Sequence, residues 1–193
     1  LDCSQILAGP FCTMMLADMG AEVIKIEKPN GGDDTRGWGP PFIAGESAAF
    51  LQLNRNKKSI SLNIQTEKGK EIFLKLISES DVFVENFRPG SLKKLNLDYE
   101  DIKKVNPKII HCSISGFGKT GPYSNRAGFD LVAQGMSGLM SITGTPDSPP
   151  VKVGVPISDL NGGVYAMYGI LSAYIHLLKT GEGQYVESSL LES

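Results

Sequence analysis

Histidine and cysteine are scarce in this chain of 193 residues: His111 and His176 are its only histidines, and Cys3, Cys12 and Cys112 its only cysteines. No C-x-x-C pair occurs, and so sparse and odd a set of thiols excludes a disulfide framework. It suits the reduced cysteines of a protein kept in the cytoplasm or an organelle matrix. A metal site lacks ligands too, because the one His-Cys neighbour pair, His111 and Cys112, falls in a strand whose adjacent side chains face opposite ways. No apolar run is long enough for a bilayer: residues 164–178 are interrupted by Tyr, Ser, Gly and His. No secretory leader is visible. Charge of one sign is not in excess either, with a formal net charge of -2 and both signs scattered along the chain. That removes a nucleic-acid arm and a polybasic membrane anchor. G-x-S-x-G is absent, and with it the nucleophile-elbow hydrolases.

What is present is 41% hydrophobic and 21% charged residues, enough for one sizeable domain that buries roughly 70% of its unfolded surface. "FCTMMLADMGAEVIKIEKP" predicts a short helix stopped at Gly20 and a buried strand over residues 22–27. "NGGDDTRGWGPPFIAGES" is loop. "KSISLNI" alternates as a strand, after which Thr66 caps a helix with Ile72, Phe73, Leu76 and Ile77 on one face. "DVFVENF" and "KIIHCSIS" are further strands, separated by one or two short helices ending at Pro107. "FDLVAQGMSGLMSIT" predicts one helix, and a second of some twenty residues runs to Lys179 from "SDLNGG". Strands alternating with helices and no hairpin signals imply an α/β domain with a mostly parallel sheet. Ligands of such sheets sit beyond the carboxyl ends of the strands, here the loops after Glu27, Phe87 and Ser115.

Two phosphate motifs present themselves at one place. "GFGKTG", residues 116–121, matches G-x-G-x-x-G, and "SISGFGKT" misses the P-loop pattern only at Ser113. Both require the loop to run directly into a helix whose first N–H groups hold the phosphate. Here "GPYSNRAG" follows, which reads as continued loop, leaving Lys119 and Arg126 as surface cations able to meet a ligand phosphate. Asp159, at the head of the long helix, reads on local grounds as a helix cap or as a chemical group.

"QILAGPFCTMMLADMGAEVIKIEKP", "GDDTRGWGPPF", "NRNKKSISLNI", "DVFVENFRPGSLKKL", "AGFDLVAQGMSGLMSITG" and "SDLNGGVYAMYGILSAYIHLLKTGEGQYVE" stand in the order of the corresponding blocks of the family III CoA-transferases, formyl-CoA/carnitine type. The chain resembles the first part of that family's large domain, with members acting on dicarboxylic acids such as succinate and glutarate the most similar in look. The resemblance implies a Rossmann-like α/β fold with helices on both faces. It also implies that residues 1–193 form the N-terminal part of a large CoA-binding domain whose small domain and C-terminal return lie outside this chain, and that the full-length protein is an interlocked homodimer. Acyl-CoA and a small carboxylic acid would be the substrates, with no metal or redox cofactor.

The resemblance makes Asp159 the nucleophile that attacks an acyl-CoA thioester and later carries CoA as an aspartyl thioester, with Ser158 left to cap the helix. Asp130 would orient substrate or relay a proton. Gly162 and Gly163 would leave room for the acyl group. Arg36, Asn86, Phe87 and Lys94 match positions that bind CoA, Lys94 standing where the family often has Arg. Lys57 and Lys58 would add basic character near a strand start. Leu7 stands where formyl-CoA transferases carry Gln, implying a different acid. The 2-methylacyl-CoA racemases share most of these blocks but place a proton-abstracting His where this chain has Phe129, which makes racemisation the second reading.

Overall fold

Short apolar runs, too brief for helices, pair into one parallel sheet in the computed structural model, which describes all of residues 1–193. Five strands carry it: β1 (Val23–Glu27), β4 (Lys57–Ser61), β5 (Val82–Glu85), β6 (Ile110–Ser115) and β7 (Tyr185–Ser189). β1 pairs with β4, and β5 with β6 and then β7, all parallel. Residues 1–3 join the two halves: Asp2 bridges to Lys25 on one side and Val84 on the other, with Cys3 N donating to Val84 O at 2.9 Å. The order across the sheet is therefore β4, β1, residues 1–3, β5, β6, β7. A two-residue antiparallel pair, β2 (Phe42–Ile43) and β3 (Glu46–Ser47), lies apart from it. It corrects the expectation of a chain without hairpins.

Alternation along the strands decides which helices cover each face. Phe83 and Ile109 point to one side, where they pack with Phe73 and Ile77 of α3 (Glu67–Ser78) and Ile102 of α5 (Tyr99–Val105). Val84, Cys112 and Ile114 point to the other, against Cys12 of α1 (Ala8–Asp18) and Ala166 and Ile170 of α7 (Ile157–Thr180). His111 indeed turns away from Cys112 and packs on the ring of Phe83. Helices thus cover both faces, as the Rossmann-like expectation required.

Local signals hold where they depend on neighbours in the chain. Thr66 Oγ1 accepts from Gly69 N at 3.1 Å and starts α3. Gly20 (φ 98°) and Gly181 (φ 77°) take the left-handed turns that end α1 and α7. Three elements differ. Residues 48–54, which carry no helix signal of their own, form α2 (Ala48–Asn54), whose first turn is held by Ser47 Oγ accepting from Phe50 N. The expected single helix after Phe129 is interrupted at Gly138 (φ 84°), so α6 (Asp130–Met136) stops early and only a 3-10 turn, Leu139–Ile142, follows. Ile72 stands 38% exposed on α3, outside the buried face of Phe73 and Ile77. The remaining helix, α4 (Ser91–Lys94), is one turn long.

Candidate active site

The carboxyl ends of residues 1–3, β5 and β6 open into a cavity of about 470 Å³. Its walls are residues 5–8 at the start of α1, residues 86–89 after β5, residues 114–116 at the end of β6, residues 126–129 and Leu190, and Asp159 faces into it.

Asp159 lies in the first turn of α7, whose N-terminal position, Pro156, supplies no side-chain cap. The cap comes from another helix: Asp130 Oδ1 accepts from Ser158 N at 2.9 Å and Asp159 N at 3.4 Å. Gln134 Nε2 holds the other carboxylate oxygen at 2.7 Å, and Gln134 Oε1 accepts from Val153 N at 2.8 Å, tying down the connector that leads into α7. Ser158 is therefore not the cap; it sits buried inside the first turn. Burial first, and then the charge of Asp130, push the Asp159 carboxyl up to about 6. The α7 N-terminus opposes this rise by about 0.3–1 kcal/mol. A carboxylate so placed is half-desolvated, and hence more reactive, yet ionised at neutral pH.

A buried ionic network holds the opposite wall. The Asp2 carboxylate, fully buried, accepts from Ser4 N at 2.9 Å, Thr13 Oγ1 at 2.7 Å and Lys57 Nζ at 3.0 Å. Its charged partners hold it well below the usual carboxylate range despite burial. Lys57 Nζ also reaches Pro10 O at 2.9 Å and Asn54 Oδ1 at 2.9 Å. Lys25, equally buried, pairs with Asp33 at 3.0 Å and donates to Ser4 O at 2.8 Å. Asp33 in turn accepts from Ile6 N. These bonds keep Ile6, a β-branched residue, at φ 69°, a conformation such residues rarely adopt unless surroundings impose it. Asn86 completes the wall by accepting from Gln5 N and donating to Gln5 O, both at 2.8 Å. Leu7, Asn86, Phe87 and Phe129 all line the cavity.

Other candidates lie elsewhere. Arg36 does not line the cavity: its Nε and Nη2 form a two-bond clamp on Glu27, each at 2.8 Å, and its guanidinium stacks on Phe50 at 3.7 Å. Lys94 is exposed on α4, also outside the lining. Lys57 is no surface cation but the partner of Asp2, while Lys58 pairs at the surface with Glu22. Gly162 and Gly163 leave no vacancy for an acyl group. A β-carbon at Gly163 would come 2.6 Å from Ala8 O, and one at Gly162 would come 2.9 Å from Leu190, so both let α7 pack tightly. In the "GFGKTG" loop, Gly118 N donates to Ser115 Oγ at 3.0 Å and Lys119 N to the Glu187 carboxylate. An acid occupying the would-be phosphate cradle excludes the P-loop reading.

Two features escaped sequence reasoning. Gly116 directly follows β6, and Gly128 crosses it so closely that a β-carbon on Gly128 would lie 2.3 Å from Gly116 Cα. This crossing seats residues 126–129 over the cavity. Gly128→Ala should force the two backbones apart, lowering stability by about 1–3 kcal/mol in a denaturant titration and impairing ligand binding. Arg88 also lines the cavity, in the block that supplied Asn86 and Phe87. Neither histidine does: His111 lies buried on the far face of the sheet, and His176 lies 17 residues along α7 from Asp159, about 25 Å away. No three His, Cys, Asp or Glu side chains converge as for a metal ion, and no helix is long and apolar enough to cross a membrane.

A model of CoA-transferase family III matches residues 1–193. The succinyl-CoA:glutarate CoA-transferase of Mus musculus is 52% identical over 193 residues, covering 100% of this chain and 44% of that protein. The succinate--glutarate CoA-transferase of Agrobacterium fabrum is 49% identical, covering 100% and 50%. The acetyl-CoA:oxalate CoA-transferase of Acetobacter aceti is 45% identical, covering 100% and 49%. The crystal structure of a CAIB/BAIF family protein from Brucella suis superposes with a TM-score of 0.95 at 48% identity, covering 98% of this chain and 51% of that one. The chain spans about half the length of the curated relatives it matches.

Proposed function

This chain belongs to CoA-transferase family III, and we propose that it is the N-terminal part of the large domain of an enzyme transferring coenzyme A between carboxylic acids. The observation that carries the reading is the half-buried Asp159 carboxylate, facing the 470 Å³ cavity and tuned to about 6. A carboxylate attacks a thioester without a general base. Asp159 adds to the acyl carbonyl and expels CoA thiolate, leaving a mixed anhydride. The thiolate then attacks the aspartyl carbonyl, releasing the donor acid and forming an aspartyl-CoA thioester. The acceptor carboxylate repeats the sequence in reverse: it displaces the thiolate from Asp159 as a second anhydride, whose acceptor carbonyl the thiolate attacks, freeing the Asp159 carboxylate. Overall one thioester and one carboxylate become another thioester and another carboxylate, so the net reaction is close to isoenergetic.

Asn86, Phe87 and Arg88, on the cavity wall after β5, are the groups assigned to hold the CoA thioester, and Asp130 is a positioning residue that holds the first turn of α7. The names of the relatives, acting on succinyl-CoA with glutarate or acetyl-CoA with oxalate, support a dicarboxylic acid as one substrate. Tyr165, Tyr168, Ile175 and Leu178 of α7 are more than half exposed, an apolar stripe that supports an interlocked homodimer in the full-length protein.

The pH dependence tests this assignment of roles. Only ionised Asp159 attacks, so the single-turnover rate of acyl-CoA consumption should rise about tenfold per pH unit below the midpoint, near 6, and level off above it. Asp130→Asn keeps an oxygen that caps α7 but removes the neighbouring charge; its midpoint should move downward in stopped-flow measurements. A rate that is flat through that range, with solvent deuterium entering the α-carbon of the acyl group, would favour the racemase reading.

A further inference from the structure

The chain has four arginines, and two of them are spoken for: Arg36 by Glu27 and Glu46, Arg55 by Asp18. Arg88 and Arg126 have no acidic partner, and both line the cavity that holds Asp159. An anionic substrate approaching an anionic nucleophile needs compensating charge. The remaining lining supplies little, since Ile6, Leu7 and Phe129 are apolar and Asp34 is acidic. The two free guanidiniums are the groups able to receive it.

Their surroundings separate their roles. Arg88 lies beside Asn86 and Phe87 and also borders a second cavity of about 280 Å³, so it stands on the wall between the two. Arg126 lies instead on the segment that leads to Asp130, the cap of the turn carrying Asp159. Its backbone N donates to Tyr123 O at 2.8 Å and its guanidinium lies 4.2 Å from the centre of the Tyr123 ring. Two residues on, Gly128 is pinned against Gly116, and four residues on, Asp130 caps the turn that carries Asp159. This short, anchored segment fixes the backbone of Arg126 at the rim of the cavity, where its exposed side chain rests on Tyr123. A guanidinium offers two parallel N–H donors to a carboxylate, a geometry that a lysine cannot reproduce.

We propose that Arg126 binds the distal, non-reacting carboxylate of a dicarboxylic acid substrate and so selects dicarboxylic over monocarboxylic acids. The assignment rests on the CoA-transfer reading. A phosphate of CoA has the same bidentate chemistry, and the experiment separates the two sources. In the full-length protein, with acetyl-CoA as donor so that the donor acyl group has no distal carboxylate, kcat/KM is measured with a five-carbon dicarboxylic and a five-carbon monocarboxylic acceptor, for wild type, Arg126→Met and Arg126→Lys. Arg126→Met should lower kcat/KM for the dicarboxylic acid roughly 10- to 100-fold and leave the monocarboxylic acid within about threefold. Arg126→Lys should recover part of the loss. An equal loss with both acceptors, or a raised KM for acyl-CoA, would assign Arg126 to folding or to CoA phosphate and overturn the proposal while leaving CoA transfer intact. A wild-type protein that transfers CoA to neither acid and forms no adduct on Asp159 overturns the underlying reading and this assignment with it.

Discussion

Asp159→Asn should lower CoA transfer by about 10⁴-fold or more while making the folded protein more stable at neutral pH. The two effects have one cause. The fold holds the Asp159 carboxyl at about 6, above an ordinary aspartate near 4, because burial and Asp130 both disfavour its charge. With the folded value raised, the protonated form is the one the fold accommodates. The associated stability is fully present below about pH 4 and is lost as pH rises through 6. Asparagine mimics the protonated form at every pH. The gain of the variant should therefore be near zero at pH 4 and reach about 1–2 kcal/mol at pH 8, a figure reduced from the full shift because Asp159 keeps some contact with water. Denaturant titrations of both proteins at the two pH values check the sign. A residue that served only as a helix cap would behave oppositely, its loss destabilising the fold.

Lys57→Met should be the most damaging substitution outside the cavity, destabilising by about 3–5 kcal/mol. It leaves the Asp2 carboxylate fully buried with Lys25 as the remaining nearby cation, and strips a donor from Pro10 O and Asn54 Oδ1 as well. Desolvation dominates over the contact itself here: burial lowers the Lys57 ammonium from its ordinary value even with Asp2 beside it. A buried pair of this kind harms most when half of it is removed. The double variant Asp2→Asn with Lys57→Met should recover much of the lost stability, and non-additivity in a denaturant cycle is the readout. Because the same network fixes Ser4, Pro10 and, through Asp33, Ile6, the single variant should also disturb the cavity wall at residues 5–8.

How much of this was legible in the amino-acid sequence follows from the range of each signal. Gly20, Thr66 and Gly181 act on backbone groups within a few residues, and each end they mark lies where local rules put it. Gly138 carries the same left-handed turn, but in "QGMSGLM" its neighbours read as the small side of a helix, so the break was hidden. Asp130 caps a helix whose first turn lies 28 residues further on, a partnership without any local pattern. Lys25 and Lys57 look like solvated charges in strand sequences; only the pairing of three strands at Asp2 shows that both are buried. The glycines of "SDLNGG" gave the opposite lesson. Space beside a nucleophile and close approach of two helices call for the same residue, and the position of Ala8 decides for the second. Gly116 and Gly128 lie in flexible-looking loops whose crossing is a long-range contact. Asp159 itself was marked by family resemblance, since its local setting fitted a cap equally well.

Mass spectrometry of the full-length protein during turnover addresses the central claim most directly. With an acyl-CoA donor and rapid acid quench, the peptide containing Asp159 should be heavier by one CoA less one water, and the adduct should disappear on adding an acceptor acid. The same peptide unmodified at every quench time, while CoA still passes between acids, would contradict the account.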